Sequence, residues 1–209
     1  MRTHGRQLEW GLWFIAVVAM VSGARFVTAG GVQAPARVQV VAIEATPTLA
    51  LEPAVPRSIP LLLHIPSLGI VAHVSSLGVQ PNGTIMVPTT VTGVGWYRYG
   101  PTPGEAGSSV LLGHVDSYRG PGVFVDLKHL RAGASIYVRL ANGDLTRFRV
   151  RSVVLYPKSA FPDALVYKTN GRPGLTLVTC GGRFNFVTRH YDSNVVVFSD
   201  YQGLVTGPS

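Results

Sequence analysis

Short apolar segments separated by turn residues make up the chain from residue 58 onward. Runs rich in Leu, Ile, Val and Thr predict strands at 60–66, 70–74, 84–87, 109–112, 135–140, 146–155, 175–179 and 194–198. Asn142-Gly143, between two such runs, is a strong hairpin signal. Only 123–130 and 160–167 have a pattern typical of short helices. Many closely spaced strands with little helix predict an all-β domain, either a closed barrel or a sandwich.

The first 32 residues have a different character. Arg2 and Arg6 precede an uncharged apolar run at 10–24, and small or apolar residues continue after Arg25 to Val32. This pattern predicts a transmembrane anchor at 10–32 and hence a single-pass membrane protein. Residues 1–9 would lie in the cytoplasm, and the residues after 32 on the extracellular face of the cell membrane. A cleaved signal peptide is the alternative, because 28–30 resembles a small-residue cleavage region. Both interpretations export the domain.

The remaining boundaries follow from composition. Residues 33–57 contain four prolines among small residues, which predicts an extracellular linker that holds the domain away from the membrane. The strand-rich pattern then predicts a catalytic or binding domain at 58–202 and a short tail at 203–209. We find no internal repeat.

Charge and cysteine content exclude several classes of protein. The net charge is +8, but the Lys and Arg residues are scattered without a basic run, so we expect no nucleic-acid partner. A single cysteine excludes a disulfide scaffold. No cluster of His, Cys, Asp and Glu has metal-ligand spacing, and no glycine-rich stretch ends as a phosphate loop does, so we expect neither a metal nor a cofactor.

Two predicted strands each deliver a reactive side chain to a glycine-containing end. Cys180 follows the apolar run 175–179 and precedes Gly181-Gly182, which places its sulfur where substrate can approach. His114 follows the run 109–112 and one glycine. A thiol needs a nearby base or cation to act as a nucleophile at neutral pH, and histidine is the usual supplier. A buried, inert cysteine and a structural histidine are the alternative interpretation.

The motifs around these residues resemble those of the sortase family. Thr176-Leu-Val-Thr-Cys180 is similar to the signature that ends in the family's nucleophile, and Gly113-His114 to its histidine motif. Further matches resemble the actinobacterial class F type, in the expected order over roughly 58–202: 94–97, 100–104, 120–124, 156–158, Cys180-Gly-Gly182, Tyr191 and 194–197.

The resemblance implies an eight-stranded sortase barrel with short helices and a Cys–His–Arg active site. Cys180 would attack a sorting signal similar to LPxTG between Thr and Gly and form a thioester. His114 would protonate the leaving amine and then deprotonate an acceptor amine from a peptidoglycan precursor or a pilin. The family's arginine lies on or just before the last strand, where this chain has Asp192 or Ser193. Arg189 is therefore the first candidate and Arg183 the second.

The resemblance also gives Thr179 a place near the substrate. Two other functions stay open at this point. A cell-wall L,D-transpeptidase or cysteine hydrolase also uses Cys and His, although those transpeptidases place the two close together in sequence, whereas 66 residues separate them here. A membrane-tethered β domain without catalytic activity is the other alternative, and it requires an unreactive Cys180.

Overall fold

The strands form a closed barrel, which confirms the prediction of an all-β domain. The computed structural model describes residues 54–167 and 171–205. Eight of the strands in this part of the chain pair in the order β1-β2-β3-β4-β9-β10-β8-β7, and β7 pairs back with β1. The ten strands are β1 Pro60–Ile65, β2 Ile70–Leu77, β3 Val94–Tyr97, β4 Ser108–Gly113, β5 Asp116–Ser117, β6 Gly120–Pro121, β7 Ser135–Leu140, β8 Leu145–Pro157, β9 Gly174–Asn185 and β10 His190–Leu204.

Two of the barrel pairings are parallel, namely β2 with β3 and β4 with β9. The other barrel pairings between these strands are antiparallel. Strands β5 and β6 form a small separate hairpin directly after β4. This arrangement matters for function, because a parallel pair brings the carboxyl ends of β4 and β9 to the same edge of the sheet.

Helix is scarce in the described residues. Three short 3₁₀ segments lie at Pro66–Leu68, Leu127–His129 and Lys158–Ala160, and one α-helical turn, α1, lies at Asp163–Val166. None of the helices in the described part is long and apolar enough to cross a membrane. The predicted anchor at 10–32 lies outside the described residues and stays a prediction.

Two clusters of buried side chains hold the barrel together. The larger fills the interior and includes Leu63, Phe148 and Leu177, each fully buried. The smaller lies on the outer face of β4, β9 and β10, where Val166 of α1 covers Val178. Because both faces of β9 are covered, its residues from Leu175 to Thr179 are all buried, which explains the continuous apolar run in the sequence.

Several predicted boundaries differ from the structure. The prediction of a strand at 84–87 is wrong, because this segment forms only an isolated β-bridge between Ile85 and Val79. Strand β3 was not predicted, and β10 continues to Leu204. Val55, in the predicted linker, is buried in the interior cluster and its N–H donates to the Gly104 carbonyl oxygen at 2.9 Å. The folded domain therefore begins before Ser58.

Candidate active site

The register between β4 and β9 aligns the histidine with the cysteine. Each residue of β4 lies beside the residue 66 positions later in β9, from the pair Ser108–Gly174 to the pair Leu112–Val178. His114 and Cys180 have the same separation in the sequence, two residues beyond the last of these pairs. The parallel pairing therefore carries both residues to one edge of the barrel, despite their distance along the chain.

Cys180 lies within β9 and not at its end, which corrects the expected position. The strand continues through Gly181 and Gly182 to Asn185. Its pairing with β10 shifts register between Tyr191 and Ser193, which leaves one extra residue in β9 between Gly181 and Phe184. The sulfur is accessible because the parallel pairing with β4 has ended there, and the cysteine is half-buried.

Gly182 and Asp192 build this irregularity. Gly182 has φ +79°, and a Cβ on it would lie 2.1 Å from an oxygen of Asp192. That carboxylate accepts the Arg183 N–H at 3.0 Å and the Ser193 hydroxyl at 2.7 Å. The hydrogen bond from the Ser193 hydroxyl is the largest cause, and that from the Arg183 N–H the next, that hold the pKa of Asp192 below its usual value. The position where the family resemblance expects an arginine thus has a structural carboxylate.

His114 is fixed by its backbone and by one ring nitrogen. Its carbonyl oxygen accepts the Phe124 N–H at 2.9 Å, and a Cβ on Gly122 would lie 2.2 Å from that oxygen. Nε2 lies 2.8 Å from the Pro88 carbonyl oxygen. A carbonyl oxygen only accepts, so Nε2 carries the proton and Nδ1 keeps a lone pair in the neutral ring. Within residues 54–167 and 171–205 this nitrogen has no hydrogen-bond partner, so the half-buried imidazole has it available for proton transfer.

Cys180 and His114 line the same cleft, which has a volume of about 1430 Å³. Its wall also includes Tyr97 and Phe161, while Lys158 and Asp163 add one charge of each sign. Burial, with the Asp163 carboxylate nearby as a smaller cause, raises the pKa of Tyr167 in this wall to about 12, so its phenol stays protonated at neutral pH. The cleft is large enough for an extended peptide and is mainly apolar.

The two candidate arginines differ in position. Arg189 lines the cleft together with Cys180 and His114, whereas Arg183 does not line it. Arg189 is the last residue of the turn between β9 and β10, where its N–H donates to the Asn185 carbonyl oxygen at 2.7 Å. Its φ is +57°, in the left-handed region that a residue with a Cβ seldom adopts. An arginine at a position that suits glycine or asparagine indicates a constraint other than folding.

Thr179 lies beside the cysteine and is 4% exposed. Its hydroxyl is buried and has no hydrogen-bond partner among the described residues. Successive residues of a strand point to opposite faces, so Thr179 faces away from the side of β9 that carries the Cys180 side chain. The residue is also among those that line the cleft.

A contact between Tyr191 and Asp116 joins the two hairpins around the site. The Tyr191 hydroxyl donates a short hydrogen bond to the Asp116 carboxylate, which links β10 to the hairpin that follows His114. This bond is the main cause that raises the pKa of Tyr191 to about 12. Sequence reasoning gave neither Tyr191 nor Pro88 a role. Tyr191 stood in a matching motif, but no local signal identifies a carbonyl oxygen such as that of Pro88 as the partner of a distant imidazole.

Comparison with known proteins decides the family. The family model of the sortase domain matches residues 63–202. The chain belongs to the sortase family. Sortases are cysteine transpeptidases, so this chain is an enzyme of that type, and the recognition made from its motifs is confirmed.

Solved sortases have the same fold as this sortase. Sortase C-1 from Actinomyces oris is 22% identical, with a TM-score of 0.54, over 68% of this chain and 72% of that one. Sortase A from Corynebacterium diphtheriae is 17% identical, with a TM-score of 0.55, over 73% and 65%. Sortase C1 from Streptococcus suis is 20% identical, with a TM-score of 0.53, over 72% and 75%. Comparison with curated protein sequences gives no significant match.

Proposed function

We propose that this sortase cleaves a sorting signal similar to LPxTG between Thr and Gly through a thioester on Cys180, and transfers the acyl group to an amine. The observation that carries the proposal is that Cys180, His114 and Arg189 line one cleft, although they come from a strand, the loop after another strand and a hairpin turn. The motifs that resemble the class F type support the same reaction.

The side chains divide the chemistry as follows. The Cys180 sulfur attacks the Thr carbonyl carbon, and the His114 imidazolium gives its proton to the leaving amine as the C–N bond breaks. An incoming amine then attacks the thioester, the C–S bond breaks, and His114 takes the amine's proton. The Arg189 guanidinium stabilises the negative charge on the carbonyl oxygen in both steps. Arg189 has no side-chain hydrogen bond or ion pair within residues 54–167 and 171–205, which leaves its donors free for substrate.

A donor–acceptor assay tests this proposal. The full chain, in detergent, is incubated with a panel of labelled sorting peptides and an amine, and the cleaved and ligated products are quantified. We expect ligated product from at least one peptide, and none from Cys180→Ala or His114→Ala. A labelled muropeptide in parallel tests the cell-wall alternative. Turnover of the muropeptide with no sorting peptide cleaved contradicts the proposal.

We also propose that residues 10–32 anchor the enzyme in the cell membrane with the barrel on the extracellular face, where surface proteins, peptidoglycan precursors or pilins supply its substrates. The basic residues before the apolar run support this orientation. Alkaline extraction of membranes, followed by protease treatment of intact cells, tests it. We expect the full-length chain in the membrane pellet and a protease-sensitive barrel. A soluble, shortened chain indicates cleavage of a signal peptide instead.

A further inference from the structure

Two hairpins end at the mouth of the cleft, and each has a nearly fully exposed aromatic side chain at its tip. Tyr118, between β5 and β6, is 91% exposed, and Phe186, between β9 and β10, is 87% exposed. Both residues also line the cleft, so they lie at its opening. Val187, next to Phe186, is 92% exposed. Apolar side chains held in water at two converging tips indicate a surface that binds another molecule.

Contacts within and between the hairpins hold these tips in place. The Phe184 ring packs edge-on against the rings of Phe186 and Tyr191, with 5.1 Å between the ring centroids in both pairs. The Tyr191 hydroxyl donates to Asp116 at the base of the other hairpin, which joins the two hairpins. The aromatic side chains at the mouth therefore project from a packed frame.

The tips themselves are basic. The tip segments 117–120 and 184–190 contain two arginines and no acidic residue. The Arg119 guanidinium lies over the Tyr118 ring, 5.1 Å from its centroid, so one tip combines an aromatic ring with a positive charge. The other tip combines Phe186 and Val187 with the positive charge of Arg189.

The two carboxylates next to these segments lie at the bases of the hairpins. Asp116 accepts the Tyr191 hydroxyl. Asp192 accepts the Ser193 hydroxyl and the Arg183 N–H, and the nearby Arg183 charge offsets its own. An approaching molecule thus meets the positive charges of the tips before it meets either carboxylate.

We propose that the two hairpin tips dock onto an anionic lipid bilayer, so that the mouth of the cleft faces the lipid headgroups. Aromatic rings beside basic side chains suit this interface, because the rings enter the headgroup layer and the arginines attract anionic lipids. Projecting tips enter a fluid surface directly, whereas a folded protein needs a groove that matches them. The proposed anchor would keep the barrel near such a surface and raise the effective concentration of lipid at the tips.

A fluorescent probe at one tip tests the docking. Val187→Cys and Val71→Cys, each combined with Cys180→Ala, give chains with a single thiol. Val71, on β2, is 64% exposed and does not line the cleft, so it is the control position. Each full-length chain is labelled with a polarity-sensitive fluorophore and reconstituted into vesicles of phosphatidylcholine, with or without an equal part of phosphatidylglycerol. Both leaflets have the same composition, so either orientation of the chain presents the barrel to the same lipid.

We expect blue-shifted emission from the probe at position 187 in the anionic vesicles, and quenching of that emission by lipids spin-labelled near the headgroup. The shift should be smaller in phosphatidylcholine alone, because the attraction to the arginines is then lost. The probe at position 71 should emit as it does in water in both kinds of vesicle.

A pair of arginine variants tests whether the second hairpin takes part. Arg119→Ser removes the charge beside Tyr118, and the control Arg147→Ser removes an exposed charge of β8 that does not line the cleft. We expect Arg119→Ser to lower the ratio of docked to undocked probe at position 187 about threefold to fivefold, as loss of one basic residue near an anionic surface allows. Arg147→Ser should leave this ratio unchanged.

Three outcomes overturn the inference. Equal emission from the probes at positions 187 and 71 in both kinds of vesicle shows that the tip stays in water. An equal loss of docking in Arg119→Ser and Arg147→Ser reduces the effect to the overall charge of the barrel. A blue shift at position 187 that needs a sorting peptide and not anionic lipid assigns the tip to substrate binding.

The test does not depend on the proposed reaction, because the labelled chains lack Cys180 and the probe reports without turnover. Failure to cleave any sorting peptide therefore leaves the docking result valid. If the chain proves to be soluble because a signal peptide is removed, the labelled chain is mixed with the same vesicles. We then expect the same contrast between positions 187 and 71 at a higher lipid concentration, and its absence contradicts the docking.

Discussion

Replacement of Arg189 by glycine should separate the stability of the hairpin from its chemistry. Arg189 has φ +57°, and a left-handed conformation costs a residue with a Cβ about 1–2 kcal/mol. Glycine removes this cost but gives the unfolded chain more conformational freedom, which offsets about 0.5–1 kcal/mol. We therefore expect Arg189→Gly to leave the free energy of unfolding unchanged or to raise it by up to about 1.5 kcal/mol. For a domain of this size the melting temperature should rise by at most about 3–6 °C.

The same substitution should remove most of the activity. Loss of one donor to the developing oxyanion typically lowers kcat by a factor of about 10²–10³, which corresponds to about 3–4 kcal/mol in the transition state. The guanidinium makes no side-chain hydrogen bond or ion pair in the described residues, so its removal breaks no contact of the fold, and the melting temperature reports separately on any unfolding. The melting temperature comes from calorimetry, and kcat/KM from cleavage of a labelled sorting peptide.

Arg183→Gly is the matched control in the same hairpin. Arg183 is exposed, has no left-handed φ and does not line the cleft. A glycine within a strand destabilises by about 0.5–1 kcal/mol, so this variant should melt lower and keep its kcat/KM within about threefold. Arg189→Gly should therefore keep its melting temperature and lose activity, whereas Arg183→Gly should melt lower and keep its activity. An Arg189→Gly enzyme with nearly full activity, or an Arg183→Gly enzyme with almost none, refutes the assignment of the arginine.

Three further predictions concern the frame around the site. Gly122→Ala should lower kcat for cleavage of the sorting peptide by at least about tenfold. The new Cβ would lie 2.2 Å from the His114 carbonyl oxygen, so the backbone of His114 must shift and move the imidazole. Normal activity would show that this shift leaves the imidazole in place, which contradicts the prediction. Asp192→Ala should lower the melting temperature at pH 7. The difference in melting temperature from the unmodified enzyme should shrink as the pH falls below 3.8, the usual pKa of the carboxyl, because a carboxyl with a lowered pKa in the folded state stabilises the fold only while it is ionised. A difference that does not depend on pH contradicts this. Tyr191→Phe should remove a phenol that ionises at about pH 12, which is measured by absorbance at high pH. The hydrogen bond to Asp116 should stabilise the fold below pH 10, and this stabilisation should be lost between about pH 10 and pH 12. If the phenol that disappears in the variant ionises near pH 10, the contact is contradicted.

The barrel could be predicted from the sequence because most of its strands and one of its turns have clear local sequence patterns. The apolar runs at β4 and β9 and the Asn142-Gly143 turn each signal their element through short-range chemistry. The segment 84–87 has the same composition but finds only one bridge, since whether a strand forms depends on a neighbour with free backbone groups. Strand β3 was missed for the converse reason: it is four residues long and depends on pairing with β2 and β4.

The motifs predicted that Cys180 and His114 lie in one site, whereas the sequence left two arginines, Arg189 and Arg183, as candidates. A sequence motif identifies residues that are close together in the sequence, and Cys180 and His114 each lie within such a short motif. The direction of the Arg189 side chain depends on a four-residue turn whose geometry is set by Asn185, whose side-chain oxygen accepts the N–H groups of Val187 and Thr188 at 2.8 and 3.1 Å. The bulge at Gly182 moves the chain further out of any simple alignment. Such irregularities arise from tertiary contacts that no local pattern encodes.

The most direct test of the central claim is the intact mass of the enzyme after brief incubation with a sorting peptide and no added amine. Cys180 is the only cysteine of the chain, so a thioester adduct has a single possible location. We predict an added mass equal to the peptide fragment through Thr less one water, which disappears on treatment with hydroxylamine and never forms in Cys180→Ala. An unmodified mass with every peptide, while Cys180 reacts readily with a small alkylating reagent, contradicts the proposal that this accessible sulfur is the nucleophile.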